Sequence, residues 1–248
     1  MEIHHILLLL AAGLFAGTVN AIAGGGALFL YPALLGVGLT PVGANVTNSV
    51  AISPGYVASI FGARKDLTGQ AARVRAFVPT AIAGTIAGSV LLLVTPATAF
   101  ETVVPYLVIG AALLLAFQGQ VRKLVGHPAN LPAWLGHLLV GLATVYGGYF
   151  GAAVGVITIA VLSLVLDETI GRITALKNVI TAASGLTTVV VFALFGPVDW
   201  FAVLLITPMT IIGGFAGSKL ARVLKPVVLR VVIVVFGLGA GVYLLIRG

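Results

Sequence analysis

Gly17-Thr18-Val19-Asn20-Ala21-Ile22-Ala23-Gly24-Gly25-Gly26 interrupts an apolar run from Ile6 to Leu39 that contains no Lys, Arg, Asp or Glu. As one helix rising ~1.5 Å per residue, the run would far exceed a hydrocarbon core ~30 Å thick, so a single straight span does not fit it. Each of the three adjacent glycines lowers helix propensity by ~1 kcal/mol relative to Ala, which puts the break at Gly24 to Gly26. Backbone freed at membrane depth is tolerated only where protein buries it or a watery cavity meets it, and transporters place their ligands at such breaks.

The composition around this stretch is that of a polytopic membrane protein. Of 248 residues, 60% are hydrophobic and only 8% charged, which leaves no room for a soluble domain. With no Cys there is neither a disulfide nor a thiolate metal site, and His4, His5, His127 and His137 are too scattered to hold a metal. No cofactor is expected. The +7 charge resides in short loops between spans, so it reports topology rather than nucleic-acid binding. The apolar N-terminal run lacks a basic n-region and a clear cleavage site, and it reads as a retained segment.

Apolar segments are expected at 4–38, 40–62, 75–95, 101–118, 133–166, 168–195, 199–220 and 226–246, four on each side of a linker at 119–132. A constant offset of 129 residues relates the halves: Pro79, Gly84, Ala87, Gly88 and Ser89 fall on Pro208, Gly213, Ala216, Gly217 and Ser218. If all eight segments crossed, seven basic residues would face six across the membrane, against the usual cytoplasmic bias of Lys and Arg. If 4–38 and 133–166 each enter and leave by one side, twelve of the thirteen become cytoplasmic. The expected fold is therefore an all-α polytopic membrane protein of two inverted-topology repeats, each a broken re-entrant hairpin plus three transmembrane helices. The first repeat is 1–118, the cytoplasmic linker 119–132 and the second repeat 133–248, with both termini outside; eight full crossings are the alternative. Gly13-x3-Gly17, Gly84-x3-Gly88, Gly147-x3-Gly151 and Gly213-x3-Gly217 are spaced for close helix packing within the molecule.

Polar side chains inside these segments mark the candidate site. Thr40-Pro41 reads as a cap followed by Pro at the first helical position, which sets Asn45, Asn48 and Ser49 on one face. At offset 129 the same positions are Thr174, Lys177 and Asn178, and Asn20 falls on Tyr149. Lys177 lies ten residues beyond Asp167, ~15 Å in along a helix. Insertion scales put an ionised Lys at that depth at about 2.5 to 3.5 kcal/mol, so it needs a partner or a role. Snorkelling toward the cytoplasm, or pairing with Asp167 or Glu168, are the structural alternatives. The functional one is an electropositive anchor for an anion, helped by the free N–H groups of a half-helix beginning at Gly24, Gly25 and Gly26. Amides at Asn20, Asn45 and Asn48 suit an oxyanion better than a metal cation.

The Gly17-to-Gly26 motif, followed by Pro32, Ala44-Asn45-Val46-Thr47-Asn48-Ser49-Val50 and Pro54-Gly55, resembles the TauE/SafE sulfite exporter family, and the likeness covers essentially the whole chain. It implies a membrane permease for sulfite, an organosulfonate or another small sulfur-containing or organic anion. In the second half Tyr146-Gly147-Gly148-Tyr149-Phe150-Gly151-Ala152 stands where the first-half motif would repeat. The expected function is a non-enzymatic exporter of a small oxyanion, working by alternating access with the anion at the midplane between the repeats. Its expected place is the cell (inner or plasma) membrane, as a multi-pass protein. The substrate-binding candidates are Asn20, Gly24, Gly25, Gly26, Asn45, Asn48, Ser49, Tyr149, Thr174, Lys177 and Asn178. The partners are the anion and the lipid bilayer, with no nucleic acid and with a homodimer left open. An anion channel and a non-transporting assembly factor are the competing readings.

Overall fold

A computed structural model describes residues 2–22, 25–117, 119–120, 132–220 and 226–247; of Ile22, 218–220, 226–230 and Arg247 only the backbone is described. Ten α-helices run through the described residues, with a short 3-10 turn after the third and no strand. They are α1 (Ile3–Ile22), α2 (Gly26–Gly36), α3 (Pro41–Ala63), α4 (Ala71–Val94), α5 (Ala97–Ala116), α6 (Ala133–Tyr149), α7 (Val154–Val165), α8 (Ile170–Phe195), α9 (Trp200–Leu220) and α10 (Pro226–Arg247). Five of them (α1, α4, α5, α8 and α9) are long and apolar enough to cross a membrane. The chain is thus a multi-pass membrane protein.

The sequence signals account for the boundaries. The Thr40 hydroxyl accepts a hydrogen bond from the Gly43 amide at 3.2 Å, with Pro41 at the first helical position, so α3 begins where the cap predicts. The glycine run ends α1 at Ile22 and starts α2 at Gly26, where a Cβ would run into the Ala16 carbonyl of α1. Glycine is required there because the two helices touch backbone to backbone. With 20 residues, α1 is ~30 Å long, enough by length to cross a hydrocarbon core, whereas α2 has 11 residues.

Small residues then decide which helices meet. α1 lies along α9, with Gly13 against Ile206 and Met209, Gly17 against the Thr210 backbone, and Gly213 and Gly217 against Leu14 and Thr18. α6 lies along α4 in the same way, with Gly84 against Gly141 and Thr144 and Gly88 against Val145. Each hairpin therefore packs on the other half of the chain. Gly147-x3-Gly151 differs from the other three pairs, because Gly147 faces Val154 within its own hairpin and Gly151 sits in the second break with φ +77°.

Between these pairs α3 and α8 cross the centre in opposite directions: Val46 meets Gly196, Ser53 meets Gly185, and Ser59 meets Asn178. α5 and α10 also run antiparallel, with Ile109 against Gly241 and Ala112 against Gly237. Leu9, Ala16, Tyr31, Leu34, Phe100, Phe150 and Phe192 are almost wholly buried in the main core, whereas Leu7, Val90, Leu186, Leu204 and Val235 face outward. Such a rim of exposed large apolar side chains is what lipid, not water, solvates. Trp134 and Trp200, exposed at the first turns of α6 and α9, suit the membrane interface.

Candidate functional site

Two cavities lie along α3 and α8. The first, about 10 Å3 or the room of one water, is bounded by Asn20 and Gly17 of α1, Tyr56 and Ser59 of α3, and Lys177 of α8. Lys177 is seven residues into its helix, ~10 Å from the end, and only 9% exposed. The ion pairs among the described residues are Glu2 with His4, and Arg73 and Arg172 with Glu168; Lys177 belongs to none. Glu168 pairs with Arg73 and Arg172 instead. A charged group without a counterion has thus been carried into a cavity beside the first helix break.

The donors around that ammonium converge. The Asn20 amide lies beside the Tyr56 hydroxyl on the wall of this cavity. The Ser59 hydroxyl donates to the Tyr56 carbonyl at 2.6 Å, and the Asn178 amide donates to the Ser59 carbonyl at 3.3 Å, which ties α8 to α3 just below. Lys177, Asn20 and Tyr56 all border one space, and an ammonium, an amide and a phenol are groups that can stabilise negative charge.

The second cavity, about 30 Å3, lies farther along α3 and α8 and touches both hairpins through Ala27, Phe150 and Gly151. Its polar wall is made of hydroxyls: Ser49 and Ser53 of α3, and Thr181, Ser184 and Thr188 of α8. Ser53, Thr181 and Thr188 donate to carbonyls of their own helices at 2.6, 2.9 and 2.7 Å, whereas the Ser184 oxygen is buried without a partner.

The other candidates divide between bracing and packing. The Asn45 amide donates to the Tyr149 carbonyl at 2.9 Å and the Asn48 amide to the Ala27 carbonyl at 3.2 Å, so α3 holds the end of α6 with one and the start of α2 with the other. The Oδ1 atoms of both are buried without partners. Gly25 abuts Leu115 and Gly26 abuts Ala16, and neither borders these two cavities; Gly24 lies outside the described residues. Tyr149 packs edge-on against Phe100, and Thr174 is half-buried one turn before Lys177. Tyr56, Ser59, Ser53, Ser184 and Thr188 escaped the sequence reading. Their signal was the continuation of the Asn45–Asn48–Ser49 face at i+4 and i+7, through Ser53 and Tyr56, and of its α8 counterpart through Ser184 and Thr188.

Below the first cavity a polar cluster joins α4 to α8. Glu168 accepts from Arg73 at 2.6 Å and from Arg172 at 2.8 Å, and the Gln70 amide donates to the Arg172 carbonyl at 3.0 Å. The Arg73 hydrogen bond, helped by the charge of Arg172, holds the Glu168 carboxyl below the usual carboxylate range. No cluster of His, Asp or Glu able to hold a metal occurs among the described residues.

Known proteins resemble this sequence over most of its length. A family model described as sulfite exporter TauE/SafE matches residues 9–244. The chain is 24% identical to a probable membrane transporter protein, ORF9, of a Sinorhizobium species, covering 99% of this chain and 94% of that protein. It is 25% identical to the probable membrane transporter protein YfcA of Escherichia coli K12, over 88% and 83% of the two chains. A probable membrane transporter protein of Haemophilus influenzae is 25% identical over 93% and 90%. No solved structure matches.

Proposed function

The chain belongs to the sulfite exporter TauE/SafE family and is a membrane transporter, and on that premise we propose that it exports a small sulfur-containing oxyanion, sulfite or an organosulfonate. The observation that carries this reading is Lys177, nine-tenths buried, without a counterion, and facing Asn20 and Tyr56 across a cavity at the first helix break. The cost of burying that charge, on the order of 2.5 to 3.5 kcal/mol, is offset when an anion occupies the cavity and accepts from the ammonium, the amide and the phenol together. A metal cation is disfavoured in the same place, since the ammonium repels it and no carboxylate attends it.

The path is an alternating one. The first cavity holds about one water, so an oxyanion enters only when the end of α1 separates from α3 and α8. The two halves, 1–118 and 133–248 with the linker 119–132 on the cytoplasmic side, act as inverted repeats that rock against one another. The 129-residue offset, the cross-packing of each hairpin on the other half, and the opposed directions of α3 and α8 and of α5 and α10 support this. Export of an anion from an inside-negative cell is downhill by ~2.3 kcal/mol per charge per 100 mV, so the cycle needs no driving ion.

The test is uptake of labelled sulfite into proteoliposomes under an imposed voltage. Saturable flux, with counter-transport, that falls by roughly thirtyfold or more in Lys177→Ala is the expected result, because removing one partner of a buried charge pair costs about 2 to 5 kcal/mol. Equal flux in a folded Lys177→Ala protein would reject Lys177 as the anchor. Flux without saturation or counter-transport would make the protein a channel.

A further inference from the structure

The two cavities meet at a single wall. Among the described residues, Tyr56 and Ile52 are the only ones that border both. On the first side the Tyr56 hydroxyl lies beside the Asn20 amide, both lining the Lys177 cavity. On the other side the ring lies over Gly185, where a Cβ would sit 3.1 Å from the ring carbon Cδ2 and 2.8 Å from the Ser53 hydroxyl. The ring has room on that side only because residue 185 carries no side chain. Beyond it waits the Ser184 hydroxyl, 6% exposed and unpartnered, in a cavity that contains no charge.

We propose that Tyr56 is the internal barrier of the anion path, separating the Lys177 cavity from a second oxyanion subsite walled by the hydroxyls around Ser184. This rests on the reading of the Lys177 cavity as the anion's first site. An oxyanion arriving there competes with Tyr56 for the Asn20 amide. Once the anion has drawn that amide away, the ring slides farther over Gly185 while its O–H follows the anion. The second subsite offers neutral donors, which hold an oxyanion less tightly than an ammonium does. A permeation path needs sites that bind well enough to admit the anion and weakly enough to release it, while the gradient sets the direction of flux.

The chain contains no Cys, so Ser184→Cys supplies a single thiol in the second cavity. Its modification by 2-sulfonatoethyl methanethiosulfonate, a small sulfonate anion, is timed from the cytoplasmic face of inside-out vesicles. With Tyr56 present the thiol should react slowly; adding Tyr56→Ala should speed it about tenfold or more, and Tyr56→Phe, which keeps the ring but loses the hydroxyl, should fall between. Gly185→Ala, which fills the space the ring turns into, should slow it about tenfold, and it serves as the measurement if Tyr56→Ala does not fold. Rates indifferent to both substitutions would overturn the barrier. The labelling needs no sulfite flux. Expected rates in a protein that moves no sulfite would therefore support the barrier and remove the anion assignment alone.

Discussion

The two helix breaks occupy matching positions in the halves of the chain, yet they are finished in opposite ways. At the second, two strong donors are spent on the backbone: Asn45 donates to the Tyr149 carbonyl and the Tyr146 hydroxyl donates to the Ala152 carbonyl at 2.8 Å, while Ala153 takes a left-handed turn at φ 58° to start α7. At the first, the residue matching Asn48 is Lys177, and its ammonium has no partner. A hydrogen-bonded break is a joint; a break beside an unpaired buried charge is a place for a ligand. In the proposed mechanism two similar breaks offer the geometry, and a few side chains decide which of them binds.

The strongest way to break the comparison is to attack what the halves share. Gly17→Ala puts a Cβ into the Thr210 backbone, and Gly88→Ala puts one into the Val145 carbonyl. Overpacking of this kind costs about 1 to 3 kcal/mol or more, and both should depress the melting temperature in detergent to a similar degree. A large cost in one and none in the other would mean that the hairpins are not equivalently packed.

The side chains of the two breaks should separate next. Asn45→Ala strands the buried Tyr149 carbonyl at a cost of about 1 to 3 kcal/mol, so it should lower thermal stability while leaving sulfite affinity nearly unchanged. Asn20→Ala, which removes a group bordering the Lys177 cavity, should do the reverse, weakening affinity with little loss of stability. Identical profiles for the two would erase the distinction drawn here.

The smallest effect belongs to the cluster beneath the first break. Because Arg73 and Arg172 hold the Glu168 carboxyl below its usual range, its stabilising contribution is complete above the ordinary glutamate pKa of about 4.3 and is lost as pH falls through the lowered folded value. Thermal unfolding in detergent between neutral pH and strong acid should show that loss. Glu168→Gln should flatten it, and an unchanged acid limb would assign the loss to other carboxylates.

Much of this architecture was legible in the residues. Thr40-Pro41 marked the start of α3, the glycine run marked the first break, and a lone Lys amid apolar residues marked position 177. The 129-residue offset anticipated that Gly84 and Gly213 would do the same packing work. What stayed hidden depends on contacts between distant positions. Asn45 and Asn48 formed a visible polar face, but their acceptors lie 104 and 21 residues away along the chain, so nothing local distinguished bracing a backbone from binding an anion. The depth of the first hairpin was equally obscure. α1 runs on until Asn20 reaches Tyr56 and Lys177, which moves the charged cavity toward one end of α8 and leaves the middle of the molecule to hydroxyls. Tyr56 continues the Asn45–Asn48–Ser49 face beyond Pro54-Gly55, but the face alone does not tell a cavity-lining phenol from a packed one.

The account stands on the claim that the first break binds the anion and its counterpart does not. Titration calorimetry of sulfite into the purified protein and into Lys177→Ala and Asn48→Ala measures this directly, since the two positions correspond across the repeat. The expected result is binding by the parent chain, weakened roughly thirtyfold or more in Lys177→Ala and nearly preserved in Asn48→Ala once that variant is shown to be folded. Equal weakening in both, or binding that survives the loss of Lys177, would contradict it.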